Sequence, residues 1–189
     1  SRDGGGISCS YDGGLNMTSC MINANRASGR GGGVYCDQSY ARLNNCTITR
    51  NFAGVEGGGV YAGFGNGVFL TNCVLWGNTL QDIAGMEYNW IYAYFSMIGG
   101  VEAAGTNVDA DPHLAPDGHL QSGSLLIDVG GVSVLPFDEL DLDVDGNVLE
   151  VLPIDFDGDG RIEGASVDVG ADEYVDLDSD GLPDWWEIK

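Results

Sequence analysis

The stretch that decides the fold is residues 31–53, GGGVYCDQSYARLNNCTITRNFA, because residues 57–79, GGGVYAGFGNGVFLTNCVLWGNT, repeat its pattern. A further glycine triplet begins at Gly4, so that triplets start at Gly4, Gly31 and Gly57, 27 and 26 residues apart. Self-similarity with a period of this length indicates stacked, equivalent structural units.

Once the triplets are aligned, the units agree at further positions. The matching columns are Ile7, Val34 and Val60; Cys9, Cys36 and Ala62; Met17, Leu43 and Leu70; Cys20, Cys46 and Cys73; Ile22, Ile48 and Leu75; and Asn25, Asn51 and Asn78. Within a unit the apolar residues alternate, which predicts short β-strands rather than helix. Units of this kind bury their apolar face by coiling, each strand pairing in parallel with its equivalent one turn on.

The sequence therefore predicts an all-β parallel β-helix, that is, a solenoid. We expect the glycine triplets to form corners that need positive φ or close backbone approach. The asparagine column fits an internal ladder of stacked amides at a turn. Residues 81–107 continue the pattern weakly, and Trp90, Tyr92, Tyr94, Phe95, Met97 and Ile98 predict a degenerate further rung that closes the core.

These repeats resemble the right-handed parallel β-helix proteins of bacterial surfaces, in particular the polymorphic-outer-membrane-protein-like repeats with GGG(I/V) and NCT(I/F)xxN signatures. The resemblance covers residues 4–80. It implies a right-handed coil and an extracellular or cell-surface location. Because Ser1 lies just before a glycine triplet, we expect the native protein to continue N-terminally or this end to stack on another molecule.

The cysteines leave two alternatives open. Cys9 and Cys36, and likewise Cys20 and Cys46, fall one rung apart, a separation of ~4.8 Å that would allow disulfides. Stacked free thiols need no bond, and we favour them. No CxxC pair occurs in the sequence, which argues against a zinc site.

Charge is distributed unevenly along the 189 residues. The formal net charge is −22, with 29 Asp and Glu against 7 Lys and Arg, and 18 of the acidic residues lie between Asp138 and Glu187. Such a field repels phosphate backbones and anionic membrane surfaces, and it favours divalent cations as partners. We therefore expect no nucleic-acid partner and no direct membrane insertion.

Two segments resemble the closing region that follows such β-helices in secreted bacterial proteins. They are residues 109–128, DADPHLAPDGHLQSGSLLID, and residues 168–174, DVGADEY. Leu125 and Leu126 depart from the usual proline and small residue. The resemblance implies a structural role, finishing the solenoid, and not a catalytic one for His113 or His119.

The strongest metal signal is the terminal loop, residues 176–187, DLDSDGLPDWWE. It follows the spacing of a calcium loop, in which alternate carboxylates converge, Gly181 allows a sharp turn and a carbonyl donates from position 7. The expected ligands are Asp176, Asp178, Asp180, the Leu182 carbonyl, Asp184 and Glu187. The loop resembles thrombospondin type 3 repeats, which implies Ca²⁺.

Two weaker strings precede it. The middle loop, residues 155–164, DFDGDGRIEG, offers Asp155, Asp157, Asp159, the Arg161 carbonyl and Glu163, but Ser166 stands at position 12, so Asp168 or water would complete the shell. The first loop, residues 141–147, DLDVDGN, offers Asp141, Asp143 and Asp145 with no ligand at position 9 or 12. The alternative for all three loops is a solvated acidic surface.

A polysaccharide-degrading enzyme is the alternative from a different class of function. β-Helix polysaccharide lyases and hydrolases need carboxylates, and lyases also an Arg or Lys, on one face of adjacent rungs. The aligned rungs assemble no such group, since Arg26 aligns with Phe52, Arg30 aligns with Glu56 and Asp37 has no acidic neighbour in its column. A lyase or hydrolase fragment therefore remains only the alternative reading.

The sequence thus predicts three parts. Residues 1–107 form rungs of about 26 residues, residues 108–175 form a terminal region with acidic loops, and residues 176–189 form a calcium loop that begins a tandem repeat. The expected function is a non-catalytic, extracellular structural or adhesive module stabilised by calcium. Expected partners are calcium, the protein itself in end-to-end filaments, and cell-surface glycans or proteins.

Overall fold

The computed structural model describes residues 2–11, 13–64, 67–85, 91–100 and 107–187. It is an all-β structure in which the repeats coil into a parallel β-solenoid of about three turns. The sequence-based prediction of a β-helix is confirmed. Of the aromatic residues expected in the degenerate rung, Trp90 lies outside the described residues.

Within the described ranges, the strands stack into three four-stranded parallel sheets and one short pair. The first sheet contains β1 (Ile7–Ser10), β5 (Val34–Asp37), β9 (Val60–Ala62) and β12 (Ile83–Gly85). The second contains β2 (Gly14–Thr18), β6 (Tyr40–Asn44), β10 (Val68–Thr71) and β13 (Ile91–Tyr94). The third contains β3 (Met21–Asn23), β7 (Thr47–Thr49), β11 (Val74–Trp76) and β14 (Met97–Ile98), and the pair is β4 (Arg26–Ala27) with β8 (Phe52–Ala53).

The strand register places the predicted columns on top of one another. Cys9 pairs with Cys36, Met17 with Leu43, and Ile22 with Ile48, each in parallel. The apolar columns form one continuous core inside the coil, against which Ile7, Met17 and Cys20 of the first rung pack only partly buried. The degenerate rung also forms, since β13 pairs with β10 and β14 with β11. Met97 and Ile98 are buried, but Tyr94 is 55% exposed and does not close the core as expected.

The glycine triplets form the corners before the first sheet. The first glycine of each triplet has positive φ, at +69° for Gly4 and +64° for both Gly31 and Gly57. A Cβ added to the middle glycine Gly32 would overlap the Gly58 carbonyl oxygen of the next rung. The corners therefore need glycine for its backbone conformation and for its lack of a side chain.

The asparagine column forms the predicted ladder at another corner. Asn25 donates through Nδ2 to Asn51 Oδ1 at 3.0 Å, and Asn51 donates to Asn78 Oδ1 at 2.9 Å. Asp82 ends the ladder by accepting from Asn78 Nδ2 at 2.6 Å. Asn51 also donates to the Ile22 carbonyl at 2.9 Å, so the ladder joins backbone and side chains of successive rungs.

The five cysteines are free thiols. Cys36, Cys46 and Cys73 are buried, and Cys9 and Cys20 are half-buried. Cys73 donates to the Leu43 carbonyl of the rung below at 3.2 Å. Of the two alternatives that the spacing left open, the structure has the stacked thiols.

The terminal region packs along the side of the solenoid, on the outer face of the third sheet. The outward-facing Val74 and Met97 are fully buried there against Leu120, Leu126 and Val169. Val108 also adds an isolated parallel bridge to Met97. The region thus covers a lateral sheet face in addition to extending the last rung.

Backbone-directed hydrogen bonds fix this docking. Asn72 accepts from Gly131 N at 2.8 Å and donates to Gly131 O at 3.1 Å, while its own carbonyl accepts from Gly170 N at 2.9 Å. Thr47 Oγ1 accepts from Ala171 N at 3.0 Å. The terminal region is therefore held at a defined place on the solenoid.

We expect Asn51→Ala to lower the free energy of unfolding by about 2–4 kcal/mol, because it leaves several buried ladder groups without partners at about 1–3 kcal/mol each. Asn16→Ala, on the exposed face of β2, should change it by less than about 0.5 kcal/mol. Urea unfolding of both variants measures this. Equal effects would show that the ladder adds nothing to stability.

Candidate calcium sites in the acidic C-terminal region

The acidic C-terminal region is organised around one buried cation. Arg161 is 1% exposed and pairs with Glu173, 2% exposed, at 2.9 Å between Nη2 and Oε2. Its guanidinium also donates to the backbone carbonyls of Ala171 at 3.0 Å and Asp168 at 3.2 Å. The sequence predicted a role only for the carbonyl of Arg161, as a metal ligand. It gave no indication of the role of the Arg161 side chain.

A second cation, His119, joins the terminal region to the middle loop. Its Nδ1 lies 3.1 Å from Asp117 Oδ1 and its Nε2 lies 3.5 Å from Asp157 Oδ2. Burial alone would lower the pKa of His119, but the carboxylates of Asp157, Asp172 and Asp117 raise it to about 9. His119 is therefore a structural cation at neutral pH. One ring nitrogen of His119 and one carboxylate oxygen each of Asp157 and Asp172 lie within 4.8 Å of one another.

The middle loop converges three carboxylates, as its spacing predicted. One oxygen from each of Asp155, Asp157 and Asp159 lies within 4.8 Å of the others. Asp155 is buried, and its Oδ1 accepts from the backbone of residues 157–159 at 3.0–3.1 Å.

Two details of the middle loop differ from a regular calcium loop. The positive φ, 101°, falls at Gly158 rather than at Gly160. Glu163 is exposed, and although one of its oxygens lies against Gly160, it is outside the converging group. Of the expected ligands in the middle loop, the structure gathers the three aspartates.

The terminal loop has the geometry expected of position 6, with φ +90° at Gly181. Asp176, Asp178 and Asp180 bring oxygens within 4.8 Å of one another. Gly181 N donates to Asp176 Oδ2 at 3.0 Å, so that the loop folds around its first aspartate.

The remaining expected ligands of the terminal loop lie close by. Asp184 begins the helix α1 (Asp184–Glu187) and accepts from Leu177 N at 3.1 Å. Burial and the carboxylates of the same loop raise the pKa of Glu187. Leu182 lies between the aspartates and α1, and its N donates to Asp180 Oδ1 at 2.8 Å. Neither Asp184 nor Glu187 belongs to the converging group of three.

The first loop also converges its aspartates, with oxygens of Asp141, Asp143 and Asp145 within 4.8 Å of one another. Gly146, with φ +87°, donates to Asp141 Oδ1 at 2.9 Å. An isolated antiparallel bridge between Phe137 and Val151 closes the base of this loop. All three acidic strings therefore fold as turns around their own carboxylates.

Burial raises the pKa of several carboxyl groups in this region. Burial raises the pKa of Asp168 to about 6 and that of Asp172 to about 7. Burial and then the Asp168 carboxylate raise the pKa of Glu173 to about 8, against the effect of Arg161. Among the described residues of this region, the buried carboxyl groups Asp155, Asp168 and Asp172 have no ion-pair partner.

We expect the metal-free protein to lose thermal stability as the pH rises from about 5 to about 9. A carboxyl whose pKa is raised by folding stabilises the fold below its unfolded pKa and loses this effect as pH rises through the folded value, as at Asp172 and Glu173. His119 acts in the same direction, because its raised pKa favours folding until the pH passes about 9.

Thermal unfolding in the presence of a chelator measures this dependence. Asp172→Asn should flatten it, because an amide can still accept from Leu120 N, whereas Glu139→Gln on the exposed surface should leave it unchanged. A stability that rises toward alkaline pH would contradict the expectation.

Among the described residues, no helix is both long and apolar enough to cross a membrane. The chain matches no family model, and comparisons with curated proteins and with solved structures find no significant match.

Proposed function

We propose that this chain is a non-catalytic, extracellular structural or adhesive β-helix module whose C-terminal region is stabilised by Ca²⁺. The proposal includes a right-handed coil, the hand that parallel crossover connections strongly favour. It also includes kinship with polymorphic-outer-membrane-protein-like repeats and with the calcium loops of thrombospondin type 3 repeats. The repeat signatures and the spacing of the terminal loop support both.

The observation that carries the proposal is the convergence of Asp176, Asp178 and Asp180 in the terminal loop, within 4.8 Å. Like charges held this close repel one another, so an ordered turn around them gains stability from a cation. Asp184 and Glu187 follow at the spacing that closes a calcium shell. Within the described residues, the ion pairs of Arg30, His119 and Arg161 involve none of these five.

The donor set favours calcium over other metals. The converging groups of the three loops offer carboxylate oxygens alone, the ligands preferred by hard cations. Calcium accepts six to eight oxygens in flexible geometry, whereas magnesium demands a near-ideal octahedron. The thiols that a softer metal would need are in the solenoid core, as at Cys36, Cys46 and Cys73.

The outer face of the second sheet supports an adhesive role. Phe69 and Tyr92 stack on successive rungs with ring centroids 5.1 Å apart, and the Arg42 guanidinium lies 5.4 Å from the Phe69 ring. Aromatic and arginine side chains on a rigid face are common anchors for binding partners. Cell-surface glycans or proteins are the proposed partners of this face.

End-to-end association is the second part of the structural role. The strands β1, β2 and β3 each lie at the edge of their sheet in the described structure. A parallel sheet edge pairs readily with another strand of the same kind. We propose that this edge receives a coil of a second copy in a filament.

Calcium should raise the melting temperature by about 5–10 °C for each site at a hundredfold excess over its dissociation constant. Such binding contributes about 2.7 kcal/mol, and 1 kcal/mol shifts the melting temperature of a chain of this size by about 2–4 °C. Glu187→Gln should remove part of this rise, whereas Glu139→Gln, which removes one exposed charge, should not. A melting temperature that is unchanged by calcium and by chelator would overturn the proposal.

The non-catalytic part of the proposal has a test of its own. Incubation of the protein with uronate polymers and with neutral glycans should release neither unsaturated products nor new reducing ends. Absorbance of the unsaturated uronate and a reducing-sugar assay measure this, with a known lyase as the positive control. Release above the level of a heat-denatured sample would favour the enzyme alternative.

A further inference from the structure

We propose that Asp138, Asp143 and Glu150 form a calcium site. These residues do not follow the sequence spacing of a calcium loop. One carboxylate oxygen from each lies within 4.8 Å of the others. Asp138 and Glu150 were not expected to be ligands, because they stand outside the first loop in sequence. The inference goes beyond the proposed terminal-loop site and uses none of its residues.

The fold brings these residues together at the base of the first loop. The bridge between Phe137 and Val151 aligns two arms of chain, and Asp138 N donates to the Glu150 carbonyl at 2.9 Å. The carboxyl groups of Asp138 and Glu150 therefore start from adjacent positions. The turn of the first loop then brings Asp143 back toward them.

The second observation is a buried oxygen with no partner. Asp138 is 2% exposed, and its Oδ2 accepts from Leu142 N at 2.7 Å. Its Oδ1 is buried and has no hydrogen-bond partner in the described part of the chain. A buried carboxylate oxygen that lacks a donor is costly, and a cation at the cluster would supply its partner.

Glu150 repeats this arrangement. Its Oε2 accepts from Asn147 Nδ2 at 3.2 Å, whereas its Oε1 is buried without a partner among the described residues. Two carboxyl groups of one cluster thus each use one oxygen within the protein and leave the other vacant. A carboxylate oxygen in this position can bind calcium, which accepts one or both oxygens of a carboxylate.

Two carboxylates of the terminal region pair with a cation of the protein, whereas in the described part of the chain no ion pair involves Asp138, Asp143 or Glu150. Glu173 pairs with Arg161, and Asp157 pairs with His119. Between residues 120 and 187 the sequence contains one basic residue, Arg161, and it is already used. A cation from solution would compensate the charge at Asp138, Asp143 and Glu150. An oxygen-only set suits hard cations, and calcium accepts it in the most flexible geometry.

The site is distinct from the predicted site within the first loop, although the two share Asp143. Asp141 and Asp145 complete the loop cluster, and Asp138 and Glu150 complete the cluster at the base. The two sites can be separated by substituting Asp145 in one variant and Glu150 in another. Both changes remove a single carboxylate charge.

The experiment is a calcium titration of the full chain, observed by NMR at the backbone amide of Leu142, which is bonded to Asp138 Oδ2. We expect this resonance to shift on binding in the unmodified protein. Glu150→Gln should weaken the apparent affinity on the order of tenfold or more, the loss typical for changes around a metal. Asp145→Asn and the exposed Glu139→Gln should leave it within about twofold.

A Leu142 amide that does not respond to calcium would overturn this inference, even if the terminal loop binds. Equal losses in Asp145→Asn and Glu150→Gln would also overturn it, in favour of the site within the first loop. Conversely, failure of the terminal-loop site would leave the Leu142 response intact. The two proposals therefore fail separately.

Asp138→Asn provides a further test, because its result differs between a metal ligand and a residue with a purely structural role. An amide can still accept from Leu142 N while it removes the uncompensated charge. We expect this variant to melt at a higher temperature than the unmodified protein in chelator, and to gain less from calcium. A lower melting temperature in chelator together with an undiminished calcium response would contradict the assignment.

Discussion

The parallel pairing of each strand with its equivalent one rung away is the constraint on which the rest of the structure depends. Parallel strands lie about 4.8 Å apart, so every side chain of a unit stacks on its counterpart in the next. A column can therefore hold only residue types that pack well against a residue of the same kind. The interior therefore holds aliphatic residues and thiols, while the corners hold glycine and asparagine, as at Gly32 and Asn51.

The same stacking determines where polar groups can be buried. Asn51 is fully buried, yet its amide donates to one rung and accepts from another. Asp82 stands where the column would need a further asparagine, and it accepts from Asn78. A carboxylate can accept but cannot donate, so it suits the last place of such a ladder.

A different constraint applies to the terminal region, because most of its charged residues are acidic. Its core against the third sheet is apolar, but it is surrounded by carboxylates that outnumber the available cations. Arg161 and His119 each neutralise part of this charge by pairing with carboxylates. The proposed calcium ions would neutralise the loops that these two side chains do not reach, and this connects the acidity of the chain to its stability.

The sequence by itself determined the solenoid, its columns and the asparagine ladder, because a repeat with period-2 alternation leaves a stacked coil as the way to bury its apolar faces. It also located the convergent aspartates of the three loops, since these contacts are local. Tertiary structure alone decided the side on which the terminal region packs and the partners of Arg161, His119, Asp138 and Glu150. Those contacts join residues with no common spacing, and only the folded chain brings them within reach.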